Sequence, residues 1–223
     1  MGKYQKIKIP GKQQPRSLLL EIKAVVFDYG RVISFDQDPE VLDELAKLAG
    51  VEKDKFISAL WALRGDYDRG LISSRKYFTN VLSSLSVCAD DKTLDKMAEI
   101  DIGSWKNVNP ETVALMEEVK KAGYILGILS NIPLGFLDWA RKNSPVFSLP
   151  HIGLYSCEVN HVKPEKVIFE KLVSMTGVKA GELVFFDDLA KNIKGARDIG
   201  IEAFIWENPK KARRELLSLG VKL

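Results

Sequence analysis

Short apolar runs alternate with helical patterns through most of the chain. Five runs have the length and the bulky apolar residues of buried strands in a parallel sheet: 24–28 (AVVFD), 124–129 (YILGIL), 152–155 (IGLY), 183–186 (LVFF) and 202–206 (EAFIW). Helical patterns lie between or after the later runs, at about 110–122, 134–142, 165–175, 191–199 and 209–219. This order of elements predicts an α/β fold with about five parallel strands and helices on both faces of the sheet.

The segment between the first and second predicted strands has a different character. From about residue 38 to residue 105 it shows four amphipathic helical patterns and no convincing strand. Asp38-Pro39 is typical of a helix start, and Gly50 of a helix end. We therefore predict three parts: a basic N-terminal arm at 1–23, a Rossmann-like core formed by 24–37 and 106–223, and an inserted four-helix cap at 38–105.

Composition and charge change this picture only at the N-terminus. Of the 223 residues, 46% are hydrophobic and 28% are charged, which is typical of a globular protein and excludes a mostly disordered chain. Residues 1–23 carry six basic residues against one acidic residue, whereas the rest of the chain carries 27 basic and 29 acidic residues. The arm has no arginine–aromatic pattern and the body has no basic stripe, which favours a solvated segment over a nucleic-acid-binding one.

The cysteines and the apolar runs indicate the expected compartment. Cys88 and Cys157 match no metal or redox spacing and form no disulfide framework, so we expect buried or incidental thiols. No apolar run approaches the roughly 18 residues that cross a bilayer, and Glu21 and Lys23 interrupt the run near the N-terminus. We expect a cytoplasmic protein that binds neither nucleic acid nor a membrane and exists as a monomer or a small homo-oligomer.

Polar and charged residues stand directly after four of the predicted strands. They are Asp28 after the first, Ser130 and Asn131 after the second, Lys163 in the loop after the third, and Asp187 and Asp188 after the fourth. Ligands bind at this edge of open parallel sheets. A single acid after a strand commonly caps the next helix, but suitable groups at four strand ends together indicate a site.

Four short motifs identify the family that the chain resembles. They are FDYGRV at 27–32, LSN at 129–131, VKPE at 162–165 and FFDDLAKNI at 185–193, and their order and spacing are similar to those of the haloacid dehalogenase superfamily. The helical insertion after the first motif resembles the α-helical cap of that superfamily's first subfamily. The resemblance covers about residues 24–208 and rests on the four motifs together.

The resemblance implies a nucleophile and a phosphate site. Asp28 would attack phosphorus to give an aspartyl-phosphate, a role that carboxylates perform in covalent catalysis. Lys163 would supply a fixed cation beside the nucleophile, and Ser130 and Asn131 would bind the phosphoryl oxygens. Asp28, Ser130 and Lys163 are therefore the candidate catalytic residues.

The same resemblance implies a Mg²⁺ cofactor. The carboxylates of Asp28 and Asp188, with Asp187 nearby, offer the hard oxygen ligands that this ion prefers, and Gly30 offers its backbone carbonyl. Asn192 falls one helical turn after Asp188, and we predict that it orients that carboxylate.

Gly30 departs from the family pattern, because the family's phosphatases usually have Asp-x-Asp in the first motif. The second Asp supplies a backbone carbonyl to the metal and a carboxyl group that protonates the leaving group, and glycine retains only the carbonyl. The substitution leaves metal binding possible and puts acid–base catalysis in doubt. Some family members with Asp-x-Gly look like sugar-1-phosphate phosphatases, whose anomeric leaving group is more acidic than an ordinary alcohol.

These observations predict a Mg²⁺-dependent phosphohydrolase whose partner is a small phosphorylated metabolite, with sugar phosphates as one class. Two alternatives stay open: a non-catalytic or regulatory relative without the general acid at Gly30, and a 2-haloacid dehalogenase, which uses the same aspartate and lysine without a metal. The Asp187-Asp188 pair argues against the dehalogenase. We expect substrate specificity to come from a polar-aromatic loop of the cap that contains Trp61, Arg64, Tyr67, Asp68 and Arg69.

Overall fold

The computed structural model describes residues 21–223, so the predicted basic arm lies outside the described residues except for its last three positions. Ile22 is buried in the core. The backbone N–H of Lys23 donates to the Glu182 carbonyl at 2.8 Å, and the Lys23 carbonyl accepts from the Ile125 N–H at 2.9 Å. The chain therefore packs into the sheet domain from Ile22 onward, two residues before the predicted core begins.

Within the described residues, five strands form one parallel sheet, as the sequence predicts. In chain order they are β1 (Ala24–Phe27), β2 (Ile125–Ser130), β3 (Ile152–Tyr155), β4 (Leu183–Asp187) and β5 (Glu202–Ile205), and their order across the sheet is β3-β2-β1-β4-β5. Central β1 pairs Phe27 with Ile128 of β2 and with Phe186 of β4. The carboxyl ends of β1, β2 and β4 therefore lie side by side at one edge.

The segment between β1 and β2 forms a helical insert with a hydrophobic core of its own. It contains five helices, not the predicted four: α1 (Pro39–Ala49), α2 (Lys53–Ala62), α3 (Arg64–Asp68), α4 (Ser74–Ser84) and α5 (Asp91–Ser104). The additional helix is α3, whose five residues make little more than one turn and show no apolar period in the sequence. Phe56, Leu60, Tyr77 and Met97 are fully buried in the core of the insert.

Helices cover both faces of the sheet because neighbouring residues of a strand point to opposite sides. In β1, Val25 and Phe27 pack on one face, whereas Ala24 and Val26 pack on the other. The helices of the second half are α6 (Pro110–Lys121), α7 (Leu134–Asn143), α8 (Ser156–Val159), α9 (Lys166–Thr176), α10 (Ala190–Arg197) and α11 (Pro209–Ser218). Helices α6, α7 and α11 pack on the first face, and α9 and α10 on the second. No helix in residues 21–223 has the length and apolar character needed to span a bilayer.

Polar contacts join the insert to the sheet domain beside the end of β3. The Ser156 hydroxyl donates to the Asp68 carbonyl oxygen, and the Asn160 side-chain amide donates to the Arg69 carbonyl at 2.8 Å. Because α8 begins directly after β3, these contacts place the end of α3 over the carboxyl ends of the strands.

Gly70 allows this close approach. Its φ of 72° lies in the left-handed region that favours glycine, and an added Cβ atom would lie 2.6 Å from the Cys157 carbonyl oxygen. We expect Gly70→Ala to lower the free energy of unfolding more than Gly50→Ala, where φ is 65° but no atom lies within 4 Å of the added Cβ. Urea unfolding measures the difference, which we expect to be about 1–3 kcal/mol. Equal losses in the two variants would contradict a close contact between Gly70 and Cys157.

Candidate active site

Asp28 follows β1, at the centre of the edge that the insert covers. Its backbone N–H donates to the Phe186 carbonyl at 2.9 Å, which continues the pairing with β4. One carboxylate oxygen, Oδ1, accepts from the Tyr29 N–H at 2.6 Å and lies 2.7 Å from Lys163 Nζ. Among the described residues no donor reaches the other oxygen, which leaves it available to a ligand.

The buried Lys163 ammonium links the ends of the central strands. It donates to Asp187 Oδ2 at 2.6 Å and to the Leu129 carbonyl at 3.1 Å, and it faces Asp28. Burial alone would lower the pKa of Lys163, but the charges of Asp187 and Asp28 raise this pKa above the ordinary lysine value. Lys163 is therefore a fixed cation beside Asp28, and its catalytic role stays a prediction.

Asn131 holds the loop that carries Lys163. Its Nδ2 donates to the Lys163 carbonyl at 3.0 Å, and its Oδ1 accepts from the Lys163 N–H at 2.8 Å. The sequence predicts that Asn131 binds phosphate. Both ends of the amide are therefore bonded to the backbone of Lys163, so the side chain positions this loop. The second Nδ2 hydrogen is left over within residues 21–223, Asn131 lines the cavity, and its role in phosphate binding stays a prediction.

Asp187 and Asn192 are hydrogen-bonded to each other. Asn192 Nδ2 lies 2.9 and 3.0 Å from the two carboxylate oxygens of Asp187, whereas the sequence predicts that it orients Asp188. Adjacent residues at a strand end point to opposite sides, so only one of the two acids meets the buried amide. Asp187 also accepts from the Leu189 N–H at 2.8 Å and from Lys163, so both of its oxygens are engaged, and its place among the metal ligands stays a prediction.

Three carboxylates crowd this edge around one buried cation. One oxygen from each of Asp28, Asp187 and Asp188 lies within 4.8 Å of the others. Burial raises the pKa of Asp28 to about 7, with Lys163 opposing this shift and the charge of Asp187 adding to it. Burial and the charge of Asp187 also raise the pKa of Asp188, although Arg31 Nη1 lies 3.6 Å from that carboxylate. The cluster is therefore short of positive charge.

The donors at this edge fit Mg²⁺, which prefers oxygen ligands. Asp28 has a free carboxylate oxygen, and the Gly30 carbonyl oxygen receives no hydrogen bond from the described residues. The buried Asn192 Oδ1 also lacks a partner there. Asp28, Gly30 and Asp188 would hold the ion, and its charge would relieve the crowding of carboxylates.

A cavity of about 430 Å³ lies between this cluster and the insert. Asp28, Ser130, Lys163 and Asp188 line it from the sheet side, and the Ser130 hydroxyl makes no hydrogen bond to a described residue. The aromatic side chains in its lining include those of Trp61, Trp105 and Phe136. Its size and its mixture of apolar walls with a few polar groups suit a small molecule.

The insert contributes only part of the predicted specificity set. The cavity is lined by Trp61, Arg64 and Asp68. Tyr67 instead stacks on Tyr77 inside the insert, with ring centroids 4.3 Å apart, and Arg69 pairs with Glu165 of the sheet domain. The difference arises because α3 replaces the predicted loop, and residues four apart on a helix share one face.

Trp105 directly follows α5 and lies against Gly30, and no sequence motif points to it. A Cβ atom added at Gly30 would lie 3.4 Å from Trp105 Cζ3, which is an ordinary contact. The indole ring therefore borders the space into which a side chain at position 30 would extend.

Known proteins are similar to this chain over most of its length. Haloacid dehalogenase-like hydrolases match residues 22–200 of the chain. The chain is similar to Phosphatase MT3486 of Mycobacterium tuberculosis, with 25% identity over 218 residues that cover 92% of this chain and 98% of that protein. It is 28% identical over 216 residues to D-ribitol-5-phosphate phosphatase of Bacteroides thetaiotaomicron, covering 87% of this chain and 97% of that protein.

Solved structures share the fold. A HAD family enzyme from Bacteroides thetaiotaomicron, in complex with magnesium and inorganic phosphate, matches with a TM-score of 0.67 and 22% identity over 83% of this chain and 94% of that one. Solved dehalogenases share the fold as well. Since the family match extends over most of its length, the chain belongs to the haloacid dehalogenase-like hydrolases.

Proposed function

We propose that the protein is a Mg²⁺-dependent phosphohydrolase of small phosphorylated metabolites and that Asp28 forms an aspartyl-phosphate. The observation that carries this proposal is the Asp28 carboxylate, which has one oxygen 2.7 Å from Lys163 Nζ and the other free at the cavity. A carboxylate held at one oxygen and open at the other is a positioned nucleophile. Relatives named as phosphatases support phosphate esters as the substrate class.

The proposed reaction has two steps. Asp28 attacks phosphorus, the bond between phosphorus and the ester oxygen breaks, and the alcohol leaves with a proton. Water then attacks the aspartyl-phosphate, which releases inorganic phosphate and regenerates the carboxylate. Lys163 and Ser130 stabilise negative charge on the phosphoryl oxygens. A bound Mg²⁺ supplies the additional positive charge that two approaching anions require.

The helical insert acts in this proposal as a cap over the site. It has its own hydrophobic core, and it contributes Trp61 and Asp68 to the lining of the cavity. The chain passes between the two parts at an isolated antiparallel bridge between Ser34 and Val108. A cap that opens and closes would exclude water from the first step and admit it to the second.

Sugar and polyol phosphates are the substrate class that we propose to test first. A relative of nearly the same length is named for D-ribitol 5-phosphate. The apolar walls formed by Trp61, Trp105 and Phe136 can pack against the carbon skeleton of such a substrate, while Ser130 and Lys163 face its phosphate.

Gly30 favours a second candidate, a non-catalytic relative, because the carboxyl group that usually serves as the acid is absent at this position. A metal-independent dehalogenase has less support. The Asp188 carboxylate lies beside Asp28, and within residues 21–223 the cation paired with it is the half-exposed Arg31 at 3.6 Å. This arrangement is suited to a metal.

Assays of the full chain on sugar, polyol and aryl phosphates, with Mg²⁺ and with excess chelator, test the proposal. We expect phosphate release that requires the metal. Halide release from a 2-haloacid in chelator would favour the dehalogenase. If no phosphate ester is hydrolysed, the aryl esters included, the non-catalytic relative is favoured.

We expect Asp188→Ala to lower the Mg²⁺-dependent rate by about 10³-fold or more, because a ligand to an ion that contributes several kcal/mol is removed. The fold should persist, since Asp188 is only partly buried. Asp198→Ala is the matched control, because Asp198 is an exposed carboxylate whose ion pair with Lys194 lies on the surface of α10. Full activity of Asp188→Ala would exclude this residue as a metal ligand.

A further inference from the structure

We propose that the Asp68 carboxyl group donates the proton to the departing oxygen, in the place of the acid that is absent at Gly30. This inference rests on the proposed function and names a catalytic residue for it. It follows from the position of Asp68 in the cavity, from the contacts that hold it there and from the chemistry of its carboxyl group.

The hydroxyl group of Ser156 connects the backbone of Asp68 to the loop after β2, which carries Ser130. Ser156 Oγ accepts from the Ile132 N–H at 2.9 Å and donates to the Asp68 carbonyl oxygen. Ile132 lies two residues after Ser130, in the loop that follows β2. A single side chain, Ser156, therefore bridges the end of α3 and the loop that carries Ser130.

The side chain of Asp68 is fixed as well. Arg64 Nε donates to Asp68 Oδ1 at 2.8 Å, and Arg64 Nη1 is held by the two oxygens of Asp101 at 3.2 and 3.3 Å. The described residues offer no donor to Asp68 Oδ2, although Asp68 lines the cavity. One oxygen is thus anchored and the other is left for a substrate.

Charges around Asp68 suit a group that exchanges a proton. Burial raises the pKa of Asp68 to about 6, while the charge of Arg64 and the more distant charge of Lys163 lower it and Asp101 raises it. A pKa near the working pH is favourable for a general acid, because both protonation states are accessible.

The proton balance is complete without another group. In the first step the Asp68 proton passes to the ester oxygen as the phosphorus–oxygen bond breaks, and Arg64 stabilises the carboxylate that remains. In the second step that carboxylate takes a proton from the attacking water. Asp68 is then protonated again and ready for the next cycle.

Rates for phosphate esters of graded leaving-group acidity, measured for wild type and Asp68→Asn, test the proposal. We expect Asp68→Asn to lower kcat for alkyl phosphates by about 10²–10⁴-fold and to change activated aryl phosphates little, because only poor leaving groups need a proton. Asp68→Glu retains a carboxyl group. The dependence of its kcat on leaving-group acidity should therefore be closer to that of wild type than the dependence in Asp68→Asn.

Asp66→Asn is the control, because Asp66 is an exposed carboxylate of the same helix α3 and does not line the cavity. We expect the kcat of this control to depend on leaving-group acidity as the kcat of wild type does. The role of Asp68 would be overturned if Asp68→Asn lost the same activity on all esters or lost none on any of them. It would also be overturned if the kcat of Asp66→Asn depended on leaving-group acidity as steeply as that of Asp68→Asn. Wild type that hydrolyses no phosphate ester would instead overturn the proposed function itself.

Discussion

Replacing Asp28 with asparagine is expected to lower phosphatase activity by at least about 10⁴-fold while the protein stays folded. The carboxylate is the nucleophile in the proposed reaction, and an amide oxygen cannot form the covalent intermediate. The fold should not suffer, because asparagine has nearly the same shape as aspartate. The Lys163 ammonium also keeps Asp187 as its partner at 2.6 Å when the Asp28 charge is removed.

Transfer of labelled phosphate to the protein and steady-state turnover measure this expectation together. Wild type that is quenched in acid during turnover should carry label, and Asp28→Asn should carry none. Asp138→Asn is a matched control, since it makes the same chemical change at an exposed position of α7. Turnover of Asp28→Asn within about a hundredfold of wild type would show that another group attacks phosphorus.

Replacing Lys163 with methionine is expected to remove activity and to destabilise the protein by about 3–5 kcal/mol, because loss of one partner leaves uncompensated buried charge. The Lys163 ammonium is the buried cation between Asp28 and Asp187, at 2.7 and 2.6 Å from them. Methionine fills a similar volume, so the loss would come from charge and not from a cavity. For a protein of this size the loss corresponds to a fall in Tm of about 6–20 °C.

Urea unfolding of Lys163→Met and Lys194→Met separates the buried ion pair from an exposed one. The Lys194 ion pair with Asp198 is solvent-exposed, and such pairs contribute little to stability. The double variant with Lys163→Met and Asp187→Asn should recover part of the loss, since it removes one unpaired carboxylate. If Lys163→Met were no less stable than Lys194→Met, the buried carboxylates would be neutral without the lysine.

The strands were predictable because a strand that is buried on both faces requires a continuous apolar run. β3 has the predicted bounds, and β4 exceeds its prediction by one residue, at Asp187. The position of the candidate active site, in the residues that directly follow these runs, was also predictable from the parallel arrangement of the strands. Parallel strands end at one edge, so Asp28, Ser130 and Asp188 have to lie near one another once the sheet forms.

Short elements and hydrogen-bond partners were not predictable in this way. α3 has only five residues, too few for a helical period, and its presence decides that Asp68 faces the cavity while Tyr67 does not. The sequence places Asn192 near both Asp187, the last residue of β4, and Asp188, which follows the strand. In the structure the Asp187 side chain points toward Asn192 and accepts its hydrogen bond.

The sequence by itself therefore determined the sheet, the helical insertion and the acids at the strand ends, because each depends on local periodicity or on the parallel arrangement of strands. Only the tertiary structure decided which polar groups remain free. Asn131 and Asp187 are hydrogen-bonded to Lys163, whereas Asp68 and Trp105 reach the site from beyond the sheet. Such contacts join residues far apart in the chain, and the packing of the insert against the sheet, which no local pattern encodes, brings them together.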